Sequence, residues 1–229
     1  MTSPSFDWIA HHASVRGDKL AVHDLDSDRK FTYSQMNERT SRLAAALREA
    51  FSIKRGDRVA VLAENDSNFF EVQFACWKLG AVFVPLNWRL SIPELEYIVG
   101  DADPDVIIHD DAFVDNATKL AELCQIDHRI SWGSDTQGSA TYEEVLTSHE
   151  PLSGSEKCTH DDTLTIMYTS GTTGRPKGAI ITQGMTFWHA VNCVEYYGCA
   201  ESMINLAFLP LFHTGGLNVF ANPTFHFGG

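Results

Sequence analysis

The run Arg58-Val59-Ala60-Val61-Leu62-Ala63 constrains this chain most, because it is almost continuously apolar over the length of one strand. Such a run reads as a strand buried on both faces, the pattern of a parallel sheet covered by helices. The neighbouring sequence supplies those helices. Ser67 to Leu79 reads as a helix that Gly80 terminates, and Ala81 to Val84 as the next strand. After Pro85, the stretch Ser91-Ile92-Pro93-Glu94 is a capping signature, and its helix is expected to stop at Gly100 before a strand at Asp105 to His109. Upstream, Met36, Thr40, Leu43, Ala44 and Leu47 share one helical face, and Thr32 with Gln35 forms a capping box. Strands alternating with helices of about 10–15 residues indicate βαβ units. The expected fold class is therefore α/β, with mostly parallel sheets flanked by helices.

Between about Gly133 and His160 the sequence turns polar and irregular, with one short helix expected at Tyr142 to Thr147; this is the candidate subdomain boundary. The chain has 229 residues, 44% of them hydrophobic, enough for a substantial core. Its 17 Lys and Arg stand against 30 Asp and Glu, a formal net charge of −13 that repels nucleic acid and anionic lipid surfaces. Cys76, Cys124, Cys158, Cys193 and Cys199 are scattered, without the spacing of a disulfide framework or a zinc site. The start, MTSPSFDWIAHH, lacks a secretory pattern, and no stretch of about 18 apolar residues occurs. These features read as a reduced, soluble, cytoplasmic protein without a transmembrane segment.

One stretch fits no packing role. In 168-YTSGTTGRPKG-178, glycines and small hydroxyl residues replace the apolar side chains that a core element needs. Thr163 to Tyr168 reads as a strand entering it, Ala179 to Ile181 as a strand leaving it, and Gln183 to Tyr197 as a helix ended by Gly198. Glycines at 171, 174 and 178 let successive N–H groups turn toward one anion, Ser170, Thr172 and Thr173 add hydroxyl donors, and Lys177 supplies a full charge. A bare GTTG is also common turn material in a surface hairpin. Neither the Walker A spacing nor a GxGxxG is present, so neither a P-loop NTPase nor a dinucleotide-binding dehydrogenase is supported.

YTSGTTGRPKG resembles the phosphate-binding loop of the AMP-forming adenylate superfamily, and FTYSQMNERTSRLAAAL, KRGDRVAVLAENDSNFFEVQFACWKLGAVFVPLNWRLSIPELEYIV and LPLFHTGG occur in that family's order. The similarity is greatest to fatty-acyl and aryl acid–CoA ligases and begins near Leu20. The resemblance implies a two-step reaction: a carboxylic acid attacks the α-phosphorus of ATP, with Mg2+, to give an acyl-adenylate and pyrophosphate, and coenzyme A then takes the acyl group. It implies that Thr169, Ser170, Gly171, Thr172, Thr173, Gly174 and Lys177 hold the β- and γ-phosphates. Arg175 receives no role.

Leu209-Pro210-Leu211-Phe212-His213-Thr214-Gly215-Gly216 is the second informative stretch. A histidine beside apolar residues is by itself more often structural. The resemblance instead implies that His213, Thr214, Gly215 and Gly216 line the acid pocket. Amino-acid-activating relatives carry an aspartate after the equivalent phenylalanine, and His213 cannot supply its fixed charge, so a simple carboxylic acid is the expected substrate. His109-Asp110-Asp111 and His160-Asp161-Asp162 read as solvated turns or caps, and no metal site is expected there.

Family members are usually much longer. Their later segments, which place adenine, ribose and the adenylation lysine, are not found here; Tyr197-Gly198-Cys199-Ala200-Glu201 is too early and lacks the threonine of the first. The expectation is an N-terminal portion of the AMP-binding core domain ending mid-domain, aggregation-prone or partner-dependent alone, with no certain catalytic residue. A peroxisomal address, if encoded, would lie beyond Gly229. A non-catalytic ATP- or phosphate-binding module and an inert truncated remnant remain the alternatives.

Overall fold

Residues that alternate along β-strands face opposite sides of a sheet, and here both sides are apolar. The computed structural model describes residues 3–133, 140–169 and 175–229. The chain enters through α1 (Trp8–Arg16) and a small antiparallel hairpin of β1 (Leu20–His23) and β2 (Lys30–Thr32), then α2 (Tyr33–Glu49). The capping box of α2 forms as expected, with Gln35 N donating to Thr32 Oγ1 at 3.3 Å and Thr32 N to Gln35 Oε1 at 2.8 Å. There follow β3 (Arg58–Leu62), α3 (Ser67–Leu79), β4 (Val82–Pro85), α4 (Ile92–Ala102), β5 (Val106–His109), α5 (Val114–Cys124), β6 (His128–Ser131), β7 (Ala140–Thr141) and α6 (Tyr142–Thr147). The last part holds β8 (Thr163–Thr169), β9 (Lys177–Thr182), α7 (Gln183–Tyr197), α8 (Thr214–Gly216), a π-helical turn at Leu217–Ala221 and α9 (Asn222–Phe227).

Seven strands form one sheet in the order β7-β6-β5-β3-β4-β8-β9. All neighbouring pairs run parallel except β8 and β9, which pair antiparallel. Val59, Val61 and Phe83 face a core shared with α2 and α3, while Ala60, Leu62, Val82 and Val84 face one shared with α4 and α5. The expected α/β class is the observed one.

Helix α3 is buried along its whole length, its polar residues included. Each of those finds a partner: Glu71 pairs with Arg39 at 2.7 Å and accepts from Tyr142 at 2.9 Å, and Lys78 pairs with Asp7 at 2.6 Å. Helix α4 corrects the expected stop at Gly100. It continues to Ala102 because Val99 and Ala102 bury against the sheet, which outweighs the roughly 1 kcal/mol of an interior glycine, and Asp103 takes the left-handed terminating conformation at φ 48°. In the 133–160 region β7 extends the same sheet and α6 packs on α2, while Leu152 N and Glu156 N donate to Ser41 O and Lys78 O.

The stretch between α7 and α8 differs. It contains no described strand and is bent by turn bonds from Met203 N to Ala200 O and from His213 N to Pro210 O, with Ile204, Leu206 and Phe208 exposed to 97, 64 and 72%. Trp188 and Tyr196 of α7 are exposed as well. No helix among the described residues is long and apolar enough to cross a membrane.

Candidate functional site

β3, β4 and β8 run parallel, so Leu62, Pro85 and Thr169 end at the same edge of the sheet. In open α/β sheets ligands bind beyond the carboxyl ends of the strands, and both motif segments converge on that edge.

Thr169 and Lys177 are the last residue of β8 and the first of β9, and they are direct cross-strand partners. Both are exposed. Ser170, Gly171, Thr172, Thr173 and Gly174, which the resemblance assigns to phosphate binding, lie outside the described residues. The flanks of the loop are anchored to one helix: Tyr168 donates its hydroxyl to Asp101 of α4 at 2.6 Å, and the Arg175 guanidinium stands 5.6 Å from the ring centre of Tyr97 on the same helix. Burial, reinforced by the Asp101 carboxylate, pushes the Tyr168 phenol up, so it stays a neutral donor. Gly178 permits this arrangement, since a Cβ there would stand 2.9 Å from Ile166 Cγ2 and 3.2 Å from Tyr168 Cζ.

The second segment approaches from α7. Asn65, in the turn after β3, clamps it: Asn65 Nδ2 donates to Leu209 O at 2.9 Å and to Ala207 O at 3.3 Å, and Leu211 N donates to Asn65 Oδ1 at 2.9 Å. One side-chain amide thus satisfies three backbone groups of a segment that no described strand pairs. Phe212 is covered by Trp88, 6.5 Å between ring centres, and by the Arg89 guanidinium at 5.6 Å. His213 caps α8, accepting Gly215 N–H on Nδ1 at 3.1 Å, which leaves Nε2 to carry the hydrogen of the neutral ring. Gly216 lies so close to the preceding backbone that a Cβ would meet Pro210 O at 2.3 Å and Leu209 O at 2.7 Å. The narrow turn that presents His213 and Thr214, both exposed, therefore requires glycine.

Asn218 ties the two segments together. Its Nδ2 donates to Thr214 Oγ1 at 3.1 Å and lies 3.7 Å from Met167 Sδ, on β8 two residues before Thr169. The structure thus pairs Thr169 with Lys177, groups His213 through Gly216, and joins the groups through Met167. The motifs alone do not point to Asn65, Trp88, Arg89 or Asn218. Only Asn218 leaves a signal, its helical spacing of four from Thr214.

The acidic runs do turn and cap work. Asp110 accepts from Glu64 N and Ala112 N, and Asp162 accepts from Thr159 N and pairs with Arg55. All five cysteines are free. Cys193 Sγ lies 3.4 Å from His189 Nε2, but burial pushes its thiol up, the opposite of an activated nucleophile.

Comparison with known proteins gives the family and the fold. The family model described as AMP-binding enzyme matches residues 9–229. Indoleacetate–CoA ligase of Aromatoleum aromaticum is 34% identical over 97% of the chain, and feruloyl-CoA synthase of an Amycolatopsis species 37% identical over 86%. The chain spans 43% and 38% of those relatives' own lengths. The crystal structure of ATP-bound MatB from Rhodopseudomonas palustris superimposes with a TM-score of 0.82 at 26% identity, over 100% of this chain and 44% of that one.

Proposed function

The chain belongs to the AMP-binding enzyme family, and from that premise we propose that it carries the phosphate-holding and acid-lining part of an ATP-dependent acid–CoA ligase. The observation that carries this reading is the Thr169–Lys177 pair, which opens a seven-residue connection at the sheet edge where ligands bind. In the proposed reaction a carboxylate attacks the α-phosphorus of ATP, an acyl-adenylate forms, pyrophosphate leaves, and the thiol of coenzyme A takes the acyl group. Negative charge grows on the departing pyrophosphate. Strand pairing fixes the backbone of Lys177 with Thr169 opposite it, so an ammonium group and a hydroxyl leave one sheet edge together to stabilise that charge where it develops. The proposed roles of Ser170, Gly171, Thr172, Thr173 and Gly174 are N–H and hydroxyl donors to the same phosphates.

His213, Thr214, Gly215 and Gly216 are proposed to form the acid-pocket wall. Indoleacetate–CoA ligase and feruloyl-CoA synthase are named for arylalkyl and aryl-propenoic acids, which supports an aryl acid as the substrate class. Among the described residues no group of three His, Cys, Asp or Glu could hold a metal ion; Mg2+ would enter with the ATP phosphates as part of the substrate complex. Isothermal titration of the 229-residue chain with ATP and Mg2+ tests the reading. Binding is expected, and Lys177→Ala should weaken it roughly tenfold or more, the effect of a charged hydrogen bond. A folded chain that releases no heat, or a Lys177→Ala variant that binds like the parent, overturns it.

A further inference from the structure

A row of amide side chains runs from the buried helix α3 to the HTGG turn. Gln73 Nε2 donates to Asn222 Oδ1 at 2.7 Å, Asn222 Nδ2 to Asn218 Oδ1 at 2.9 Å, and Asn218 Nδ2 to Thr214 Oγ1 at 3.1 Å. Gln73, Asn222 and Asn218 are buried, and Thr214 is exposed. The last steps lie on and beside the π-helical turn Leu217–Ala221, where Asn222 N donates to Leu217 O; such turns recur at functional sites.

An amide accepts at one end and donates at the other, so the row has two polarities, reached by flipping all its members together. Met167 Sδ decides between them. A thioether has no hydrogen to give, so the end of Asn218 that faces it is the NH2 group, and that group also faces Thr214. With this polarity Gln73 Oε1 is buried without a partner. Reversing the row would only put the Gln73 NH2 group in that same place, so the choice of polarity rests on Met167.

At the far end of the row the Thr214 oxygen already accepts from Asn218. Its hydroxyl hydrogen has no acceptor among the described residues. We propose that Gln73, Asn222 and Asn218 are positioning residues of a one-directional amide relay, which presents the Thr214 hydroxyl as a hydrogen-bond donor to a carboxylate oxygen of the bound acid. The inference rests on the acid-pocket reading of the HTGG turn and adds to it a specificity-determining contact: ligands with an acceptor oxygen at this position are favoured over those without one.

Titration of the 229-residue chain with benzoate, read by calorimetry and by the methyl resonance of Thr214, tests the relay. Thr214→Ser keeps the hydroxyl and should bind within about twofold of the parent, while the isosteric Thr214→Val should bind roughly tenfold more weakly. Asn218→Asp puts an acceptor where the donor was, so Thr214 turns its hydrogen inward and affinity falls by a similar factor. Combining Asn218→Asp with Thr214→Val should add little further loss, a non-additivity that an independent packing defect would not produce. If Asn218→Asp fails to melt as a folded protein, the Thr214 variants decide alone. Equal affinity in Thr214→Val and the parent, or no benzoate binding by the folded parent, overturns the relay. A parallel ATP titration separates the two ideas: ATP binding without benzoate binding sinks the relay and leaves the nucleotide reading standing.

Discussion

Around β3 and β4, Val59, Val61 and Phe83 are sealed from solvent by α2 and α3, whereas on the approach to His213 the side chains of Ile204, Leu206 and Phe208 stand in solvent. The first region is held by burial, and its buried ion pairs are secondary. The second is held by a few directed contacts, the Asn65 clamp and the Asn218 row, that fix backbone more than they hide apolar surface. Rigid scaffold and adaptable wall meet at the sheet edge, and substitutions on the two sides should have different signatures.

The largest effect is expected in the scaffold. Phe83→Ala empties a site in full contact with the core and edge-on to the Phe69 ring at 5.3 Å, and should cost about 3–5 kcal/mol in chemical denaturation. A cost below about 1 kcal/mol would show that this region is not held by packing. A smaller effect is expected at the seam. His226 of α9 lies among the rings of Trp8, Phe187 and Phe227, and burial, with His12 nearby, holds its pKa down to about 4. Its neutral form is favoured by folding, so its contribution is full above the ordinary histidine value of about 6.5 and is lost as pH falls toward 4. Partial exposure limits this to about 1 kcal/mol, a fall of about 2–4 °C in melting midpoint. His226→Phe should flatten that slope relative to the parent, and an unchanged slope would assign it to other groups. The smallest effect is expected at Ile204→Ser, within about 0.5 kcal/mol of the parent in the same denaturation assay. A larger loss would reveal that the approach to His213 is packed after all.

Much of the scaffold was legible in the sequence because its signals are local. The Thr32–Gln35 and Ser91–Glu94 boxes form where expected, and α3 has its expected limits. α4 overran Gly100 because contacts made by Val99 and Ala102 with distant strands outweighed a local breaker. At the site the sequence predicts a strand on either side of the loop but places Thr169 and Lys177 in the loop itself; cross-strand pairing extends the strands to include both. The clamp and the row were not legible, because Asn65 and Gln73 meet partners about 150 positions away and neither residue sits in a pattern that announces such a partner.

Asn65 reaches across 142 to 146 positions to hold residues 207, 209 and 211. During folding that bond can form only after a very long loop has closed, and it brings little hydrophobic gain of its own, so it is expected to form later than the local β3–α3–β4 contacts. The same order runs in reverse in the native ensemble. The amides of Ala207, Phe208, Leu209, Leu211, Phe212 and His213 should exchange their hydrogens through local opening well before those of β3 and β4, giving the wall its own equilibrium with an open form while the sheet beneath stays closed.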